Sequence, residues 1–223
     1  MKYSFEAKIE KTDQGCKVEI PFNIWEVSKH RDEVEAELHR DGKVIPCKLL
    51  PLEKGKYELL IQGECAQNAD LSKEQHILLR IPATLIKVDK ESPYSPENPI
   101  RKIDSINILI QPEDGLCGQT CVAMLAGVTI ADVMEMMDCR EWQATMGRVI
   151  SALNFYGIGH SGVIEFTEGK EVTLPKCCVM MEKMGRFSHY LIHFDGKFYD
   201  PNLGVLDEYD MSKLLGYLEV KCE

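Results

Sequence analysis

The sequence lacks a long hydrophobic run and a cluster of basic residues. Charged residues recur every few positions in the first fifteen residues, so the apolar segment of a signal peptide is missing. Lys and Arg number 26 against 36 Asp and Glu, a formal net charge of −10, which argues against the basic face that phosphate binding requires. We therefore expect a cytoplasmic protein with no membrane and no nucleic acid among its partners.

The sequence also lacks the features of a disulfide-stabilised protein. Its nine cysteines are an odd number, and some lie in apolar runs such as "KCCVMM". A chain of 223 residues can build a hydrophobic core without covalent cross-links. We therefore expect reduced thiols. With 44% hydrophobic residues, no internal repeat and no low-complexity tract, the chain is typical of globular proteins with one large or two small domains.

Two differently patterned halves meet at residues 88–102, where three prolines and alternating charges interrupt the chain. Before this break, short alternating runs such as "EVEAELH" and "KVIPCKLL" are separated by turn residues, which predicts one strand after another. The small number of apolar residues in each run favours a compact barrel. The sequence predicts a small β-barrel domain over 1–90, a linker over 91–101 and a second domain over 102–223.

Helical patterns dominate the start of the second half. The runs "CVAMLAGV", "TIADVMEMM" and "EWQATMGRVISALNFYG" predict three helices, and Thr129 and Asp132 are spaced like a capping box. The later runs "KCCVMM", "SHYLIHF" and "GKFYDP" predict strands. The predicted fold class is therefore α+β, with an N-terminal small β-barrel and a C-terminal α+β domain.

A cysteine stands at the start of the first predicted helix. Asp114 and Gly115 are residue types that begin helices, with Asp114 as the expected N-cap, and Cys117 then falls in the first turn. Unpaired backbone N–H groups and the helix dipole favour an anion at this place. A thiol there is biased toward the thiolate, so Cys117 is a candidate nucleophile that requires a base.

The candidate base is His189, which lies in an apolar strand pattern. The tripeptide "DGK" after this pattern predicts a tight turn, and the returning strand ends at Asp200. In such a hairpin His189 and Asp200 are close to cross-strand partners, so the carboxylate can orient the imidazole. Gln111 precedes Cys117 by six residues, where its amide N–H can reach an oxyanion. This chemistry requires no cofactor and no metal.

These residues resemble the papain-like cysteine peptidases, most of all the bacterial double-glycine peptidases that process bacteriocin leaders. The resemblance lies in "QPEDGLCGQTCVAML" and "SHYLIHFDGKFYDP" and spans Ile103 to the C-terminus. It implies a papain-like fold with Cys117 as nucleophile, His189 as general base and acid, Asp200 as the orienting residue and Gln111 as the oxyanion donor. The first half resembles a small bacterial β-barrel domain of unknown function.

The predicted function is therefore that of a thiol hydrolase acting on a peptide or amide bond in a peptide or protein substrate. Deamidation and acyl transfer use the same four residues and stay open, as do the substrate, the role of the barrel and the oligomeric state. One alternative is a catalytically inactive papain-like domain that, with the barrel, binds peptides or acts as a scaffold. Another is a Cys2His2 zinc site built from Cys117, Cys121, His189 and His193. Gln119 ranks behind Gln111 as oxyanion donor, and Cys121 and His193 are more simply core residues.

Overall fold

A computed structural model of the chain describes residues 1–27, 31–40, 42–62, 74–82, 91–184 and 187–222. The chain divides into two compact units, Met1–Thr84 and Leu85–Glu223. Each unit is built mainly from antiparallel strands, and the three long helices belong to the second.

Seven strands and one short helix, α1 (Ile24–Val27), make up the described part of the first unit. The strands are β1 (Lys2–Ala7), β2 (Glu10–Thr12), β3 (Gly15–Glu19), β4 (Val34–Arg40), β5 (Lys43–Pro51), β6 (Tyr57–Ile61) and β7 (Gln75–Arg80). They lie side by side in the order β1-β7-β4-β5-β6-β3-β2, and each neighbouring pair is antiparallel.

The core of the first unit follows from the period of two in these strands. In β4 the residues Val34, Ala36 and Leu38 are buried, whereas Glu35 between them is exposed. β6 shows the same alternation, with Tyr57 fully buried at its start. In these two strands one face therefore packs into the core and the other faces outward, as the alternating sequence predicts.

The predicted fold class, α+β with an N-terminal small β-barrel and a papain-like α+β domain, is wrong. The structure is mostly β, with 41% of the described residues in strands and 17% in helices. Among the strands of the first unit, no described pairing joins β1 back to β2, so the row is open rather than closed into a barrel. The size of the apolar runs predicts closure, but apolar residues are buried on one face in an open sheet as well as in a closed one.

The second unit is organised around a buried helix, α2 (Cys117–Ala126), all ten residues of which are buried. It packs against the helices α3 (Ile130–Met137) and α4 (Met146–Phe155). Gly127 ends it in the left-handed conformation with φ 69°, which glycine adopts without strain. Asp114 is not its cap as predicted. The N-cap residue is Leu116, because a turn at Gly115, with φ 89°, separates Asp114 from the helix.

The other two helices begin at threonine caps. Thr129 and Asp132 form the predicted capping box at the start of α3, where each side chain accepts a hydrogen bond from the other residue's backbone N–H. The third predicted helix begins later than its pattern suggested, at Met146, with the Thr145 side chain as the cap. The preceding residues, 138–145, form a loop beside α2.

Six strands complete the described part of the second unit. They are β8 (His160–Phe166), β9 (Cys177–Met184), β10 (Phe187–Phe194), β11 (Lys197–Asp200), β12 (Gly204–Leu206) and β13 (Leu214–Val220), and a 3₁₀ turn (Met211–Lys213) leads into the last. Their order within the unit is β12-β11-β10-β9-β13-β8, with antiparallel neighbours. Asp195 (φ 51°) and Gly196 (φ 81°) form the predicted tight turn between β10 and β11.

The sequence patterns underestimated the strand content because glycines interrupt two of these strands. β8 contains Gly162 and β13 contains Gly216, and glycine is depleted in strand interiors. At Gly216 the pairing with β9 shifts register, and a Cβ there would lie 2.4 Å from the Glu165 carbonyl oxygen. Glycine therefore permits a close backbone approach at this position.

The segment predicted as a linker, residues 91–101, lies against the end of α4. The Ile100 amide donates to the Tyr156 carbonyl over 3.0 Å, and the Tyr94 ring centroid is 6.5 Å from that of Phe155. No single helix in the described parts of the chain is long and apolar enough to cross a membrane, and α2 and α3 reach that length only together, across a bend of 112°.

Candidate active site

Cys117 is the first residue of α2 and is 8% exposed. No side chain at the N-cap position accepts a hydrogen bond from the first turn, because Leu116 has no polar group there. The backbone dipoles of α2 therefore act on the thiol without competition from a capping carboxylate. The sulfur is thus held at the positive end of a fully buried helix.

His189 lies near the start of β10 and contacts both of its predicted partners. Its Nε2 is 3.1 Å from Oδ1 of Asp200, and the Cys117 side chain is close enough to the ring to raise the pKa of His189. Because Nε2 is used by the carboxylate, Nδ1 is the nitrogen left for the thiol. The structure therefore brings Cys117, His189 and Asp200 into one continuous chain of contacts.

Opposing effects act on the pKa of His189. Burial disfavours the charged ring, but the hydrogen bonds and charges of Asp200 and Cys117 outweigh burial and raise the pKa of His189 from 6.5 to about 10. The imidazolium is therefore the stable form at neutral pH when Cys117 is a thiolate. A charged ring next to an anionic sulfur is the resting arrangement of an activated cysteine nucleophile.

Asp200 is fixed by its own turn. Its Oδ1 accepts hydrogen bonds from the backbone N–H of Asn202 over 2.7 Å and of Leu203 over 3.2 Å, in addition to His189. Burial disfavours the carboxylate, but the hydrogen bonds from His189 and Asn202 outweigh it, so the pKa of Asp200 is lowered from 3.8. The register pairs Tyr199 with Ile192, so Asp200 and His189 are diagonal neighbours rather than directly opposite.

Gln111 is attached to the same turn. Its backbone N–H donates to the Pro201 carbonyl over 2.9 Å, and its side-chain Nε2 donates to Oδ1 of Asn202 over 2.5 Å. Its Oε1 is buried without a hydrogen-bond partner among the described residues. The structure thus holds Gln111 against the turn that follows Asp200. Asn202, which binds both Gln111 and Asp200, was missed because an Asn after Asp-Pro reads as an ordinary turn residue.

The residues ranked lower from sequence have other roles. Cys121 is fully buried, and burial raises the pKa of its thiol well above 9.0. His193 Nδ1 donates to the Pro175 carbonyl over 2.9 Å, and its ring packs near Phe198. In the described segments no group of three or more His, Cys, Asp or Glu side chains is arranged to hold a metal ion, so no observation favours the alternative zinc site.

Gln119 fixes the loop of residues 138–145 to α2. Its side chain is fully buried, and Nε2 donates to the Arg140 carbonyl over 2.9 Å and lies 3.4 Å from the Cys139 sulfur. The amide of Gln119 is therefore engaged away from the thiol. Within the same loop, the Trp142 N–H donates to the Gly115 carbonyl over 2.8 Å. Sequence reasoning missed this contact, since the pattern extended the helix through Trp142.

No protein-family model matches the chain, and a search of curated proteins returned no significantly similar sequence. The function is therefore inferred from the geometry of the site.

That geometry can support acyl transfer. A thiolate at the start of α2 is a nucleophile, an imidazolium in contact with it can protonate a leaving group, and Asp200 holds the ring in one orientation. None of these steps requires a bound group other than the substrate.

Proposed function

We propose that the protein is a thiol hydrolase of the papain type in its catalytic residues, which cleaves a peptide or amide bond in a peptide or protein substrate. The observation that supports this proposal best is the position of His189, which contacts the Cys117 thiol and the Asp200 carboxylate through a single buried ring. A core histidine needs one hydrogen-bond partner to be satisfied. Two ionisable partners that together raise its pKa fit an acid–base role.

In the proposed mechanism, the Cys117 thiolate attacks the substrate carbonyl carbon and a tetrahedral oxyanion forms. The His189 imidazolium donates its Nδ1 proton to the leaving amine, the C–N bond breaks and an acyl-enzyme remains. The neutral ring then takes a proton from water, which attacks the thioester and releases the acid and the thiolate. Asp200 keeps Nε2 engaged throughout, so Nδ1 stays directed at the reacting atoms.

Gln111 is the proposed side-chain donor to the oxyanion. One of the two Nε2 hydrogens is used by Asn202, which leaves the second for a ligand. The backbone N–H of Cys117, at the open end of α2, is a second donor of the kind that such sites use. Gln111 is bound to the turn that follows Asp200, so the proposed donor and the orienting carboxylate are held by the same turn.

The reactivity of Cys117 tests the proposal without knowledge of the substrate. At pH 6, iodoacetamide should modify Cys117 faster than it modifies Cys121, Cys177 and Cys178, because burial raises the pKa of those three thiols. His189→Ala should abolish this rapid reaction because it removes the cationic partner of the thiolate. Mass spectrometry of the cysteine peptides after timed exposure measures each rate.

Asp200→Ala is the matched comparison, since it should leave the thiol reactive but misorient the ring and slow turnover. Turnover is measured with a fluorogenic peptide library. Alkylation of Cys117 at pH 6 that is equally slow in the wild type and in His189→Ala would exclude the ion pair and favour the catalytically inactive, peptide-binding alternative.

A cytoplasmic location is part of the proposal. All eight cysteines in the described residues are free, which suits a reducing compartment. Fractionation of cells that express the chain, with thiol trapping at lysis, tests the location and the reduced state together.

A further inference from the structure

Trp142 has an unusual backbone conformation. Its φ is 61°, in the left-handed region that bulky side chains rarely adopt. The residue is 51% exposed, so burial does not explain why a tryptophan occupies this position. Backbone strain of this kind concentrates at ligand-binding positions, where the surrounding structure enforces it.

The surrounding structure enforces it here through Gly115. The Trp142 N–H donates to the Gly115 carbonyl over 2.8 Å, and the indole occupies the space beside the Gly115 Cα, where a Cβ would meet the ring at 2.7 Å. Further along the loop, a Cβ at Gly118 would lie 2.6 Å from the Ala144 Cβ. The loop therefore packs closely against Gly115, before Cys117, and against Gly118, after it. At both positions only glycine leaves room for the loop.

From these contacts we infer that Trp142 determines specificity: its indole forms an apolar surface beside Cys117 that binds an apolar or aromatic side chain of the substrate next to the bond to be cleaved. This inference depends on the proposed role of Cys117. The ring lies over a residue only two positions before the sulfur, and an indole with its body exposed offers a large rigid surface at low conformational cost. The buried Gln119 anchor keeps the loop, and with it the indole, in place.

Two alkylating agents that differ only in an aromatic group test the inference. Iodoacetamide and N-benzyliodoacetamide react alike, as the sulfur displaces iodide from the CH₂ carbon, but only the second presents a ring to Trp142. Mass spectrometry of the Cys117 peptide gives the rate of each reaction. The rate with N-benzyliodoacetamide divided by the rate with iodoacetamide does not depend on the reactivity of the thiol, because both reactions use the same sulfur. Trp142→Ala should lower this ratio about threefold to tenfold, the value of a lost aromatic contact.

Matched variants complete the experiment. Trp142→Phe should keep most of the preference for the benzyl reagent. Trp25→Ala removes the other tryptophan of the chain, which is 41% exposed and belongs to the first unit, and should leave the ratio unchanged. An equal ratio in the wild type and in Trp142→Ala would overturn the inference.

A failure of the proposed function gives a different result from a failure of this inference. It gives slow alkylation at pH 6 with no dependence on His189, and the ratio is then measured at pH 9, where an ordinary thiol is largely ionised. Should Trp142→Ala not fold, Trp25→Phe leaves Trp142 as the only tryptophan. Its fluorescence should then change when Cys117 carries the benzyl group and not when it carries the acetamide alone. No difference between the two adducts would again overturn the inference.

Discussion

Replacing Asp200 with Asn should lower the pKa of His189, because it removes the negative charge that stabilises the imidazolium. The Asn side chain keeps an oxygen that can accept the hydrogen bond from the ring. Burial opposes the charged ring, and the Asp200 hydrogen bond is the largest of the effects that raise its pKa to about 10. At pH 8 a ring with that pKa is about 99% imidazolium, whereas a ring at the ordinary value of 6.5 is about 3% imidazolium. The Asn variant should lie between these limits, so a measurable fraction of the ring becomes neutral at pH 8.

An NMR titration of the imidazole signals measures this shift directly. The His189 signal is assigned as the one missing from His189→Ala. His193 is the internal control. Burial lowers its pKa, and Asp200 is not among the groups that shift it. The titration of His193 should therefore be the same in the wild type and in Asp200→Asn. An unchanged His189 titration in Asp200→Asn would refute the electrostatic coupling on which the proposed mechanism depends.

Thermal stability should follow the same pair. The folded-state pKa of His189 is raised, so its contribution to stability is complete below pH 6.5 and is lost as the pH rises toward about 10. The pKa of Asp200 is lowered, so its contribution is present above pH 3.8 and is lost as the pH falls through its folded-state value. In Asp200→Asn the decline in melting temperature between pH 6.5 and 10 should be smaller than in the wild type.

Three further variants probe the oxyanion donor and the fold. Gln111→Ala should reduce turnover about 10²–10³-fold while Cys117 still reacts with iodoacetamide, since alkylation forms no oxyanion; equal losses in both assays would contradict the assignment. Gly216→Ala should lower the unfolding free energy by about 1–3 kcal/mol in a denaturant titration, because its Cβ would meet the Glu165 carbonyl oxygen at 2.4 Å. Thr129→Ala removes the side chain that caps α3 and should cost about 0.5–2 kcal/mol in the same titration, whereas an unchanged midpoint would show that the cap is dispensable.

The sequence alone predicts that His189 and Asp200 lie close together, because a short turn joins the two strands that carry them. A two-residue turn with positive φ at Asp195 and Gly196 sets the β10–β11 register, and the register carries His189 and Asp200 to one end of the hairpin. The contact between His189 and Cys117 joins segments 72 positions apart, so it came from the resemblance and the chemistry rather than from local pattern.

What the sequence could not provide depends on long-range packing. The hydrophobic pattern of the first unit is compatible with an open row and with a closed barrel, because only the pairing of the end strands differs. Trp142 follows a charged residue before a helical pattern, so periodicity assigned it to the helix. Its contact with Gly115 depends on how the loop crosses α2, which no local pattern encodes.

The turn after β11 makes the orientation of Asp200 robust to mutation. Two of the three donors to its Oδ1 are main-chain N–H groups, at Asn202 and Leu203, and every amino acid except proline supplies such a group. Side chains at these two positions can therefore vary during evolution without loss of the carboxylate's anchors. The Asn202 side chain does not bind Asp200, so it can vary together with Gln111, to which it is hydrogen-bonded. In a family of related sequences, positions 111 and 202 should accordingly change as a pair, while proline should be absent from 202 and 203.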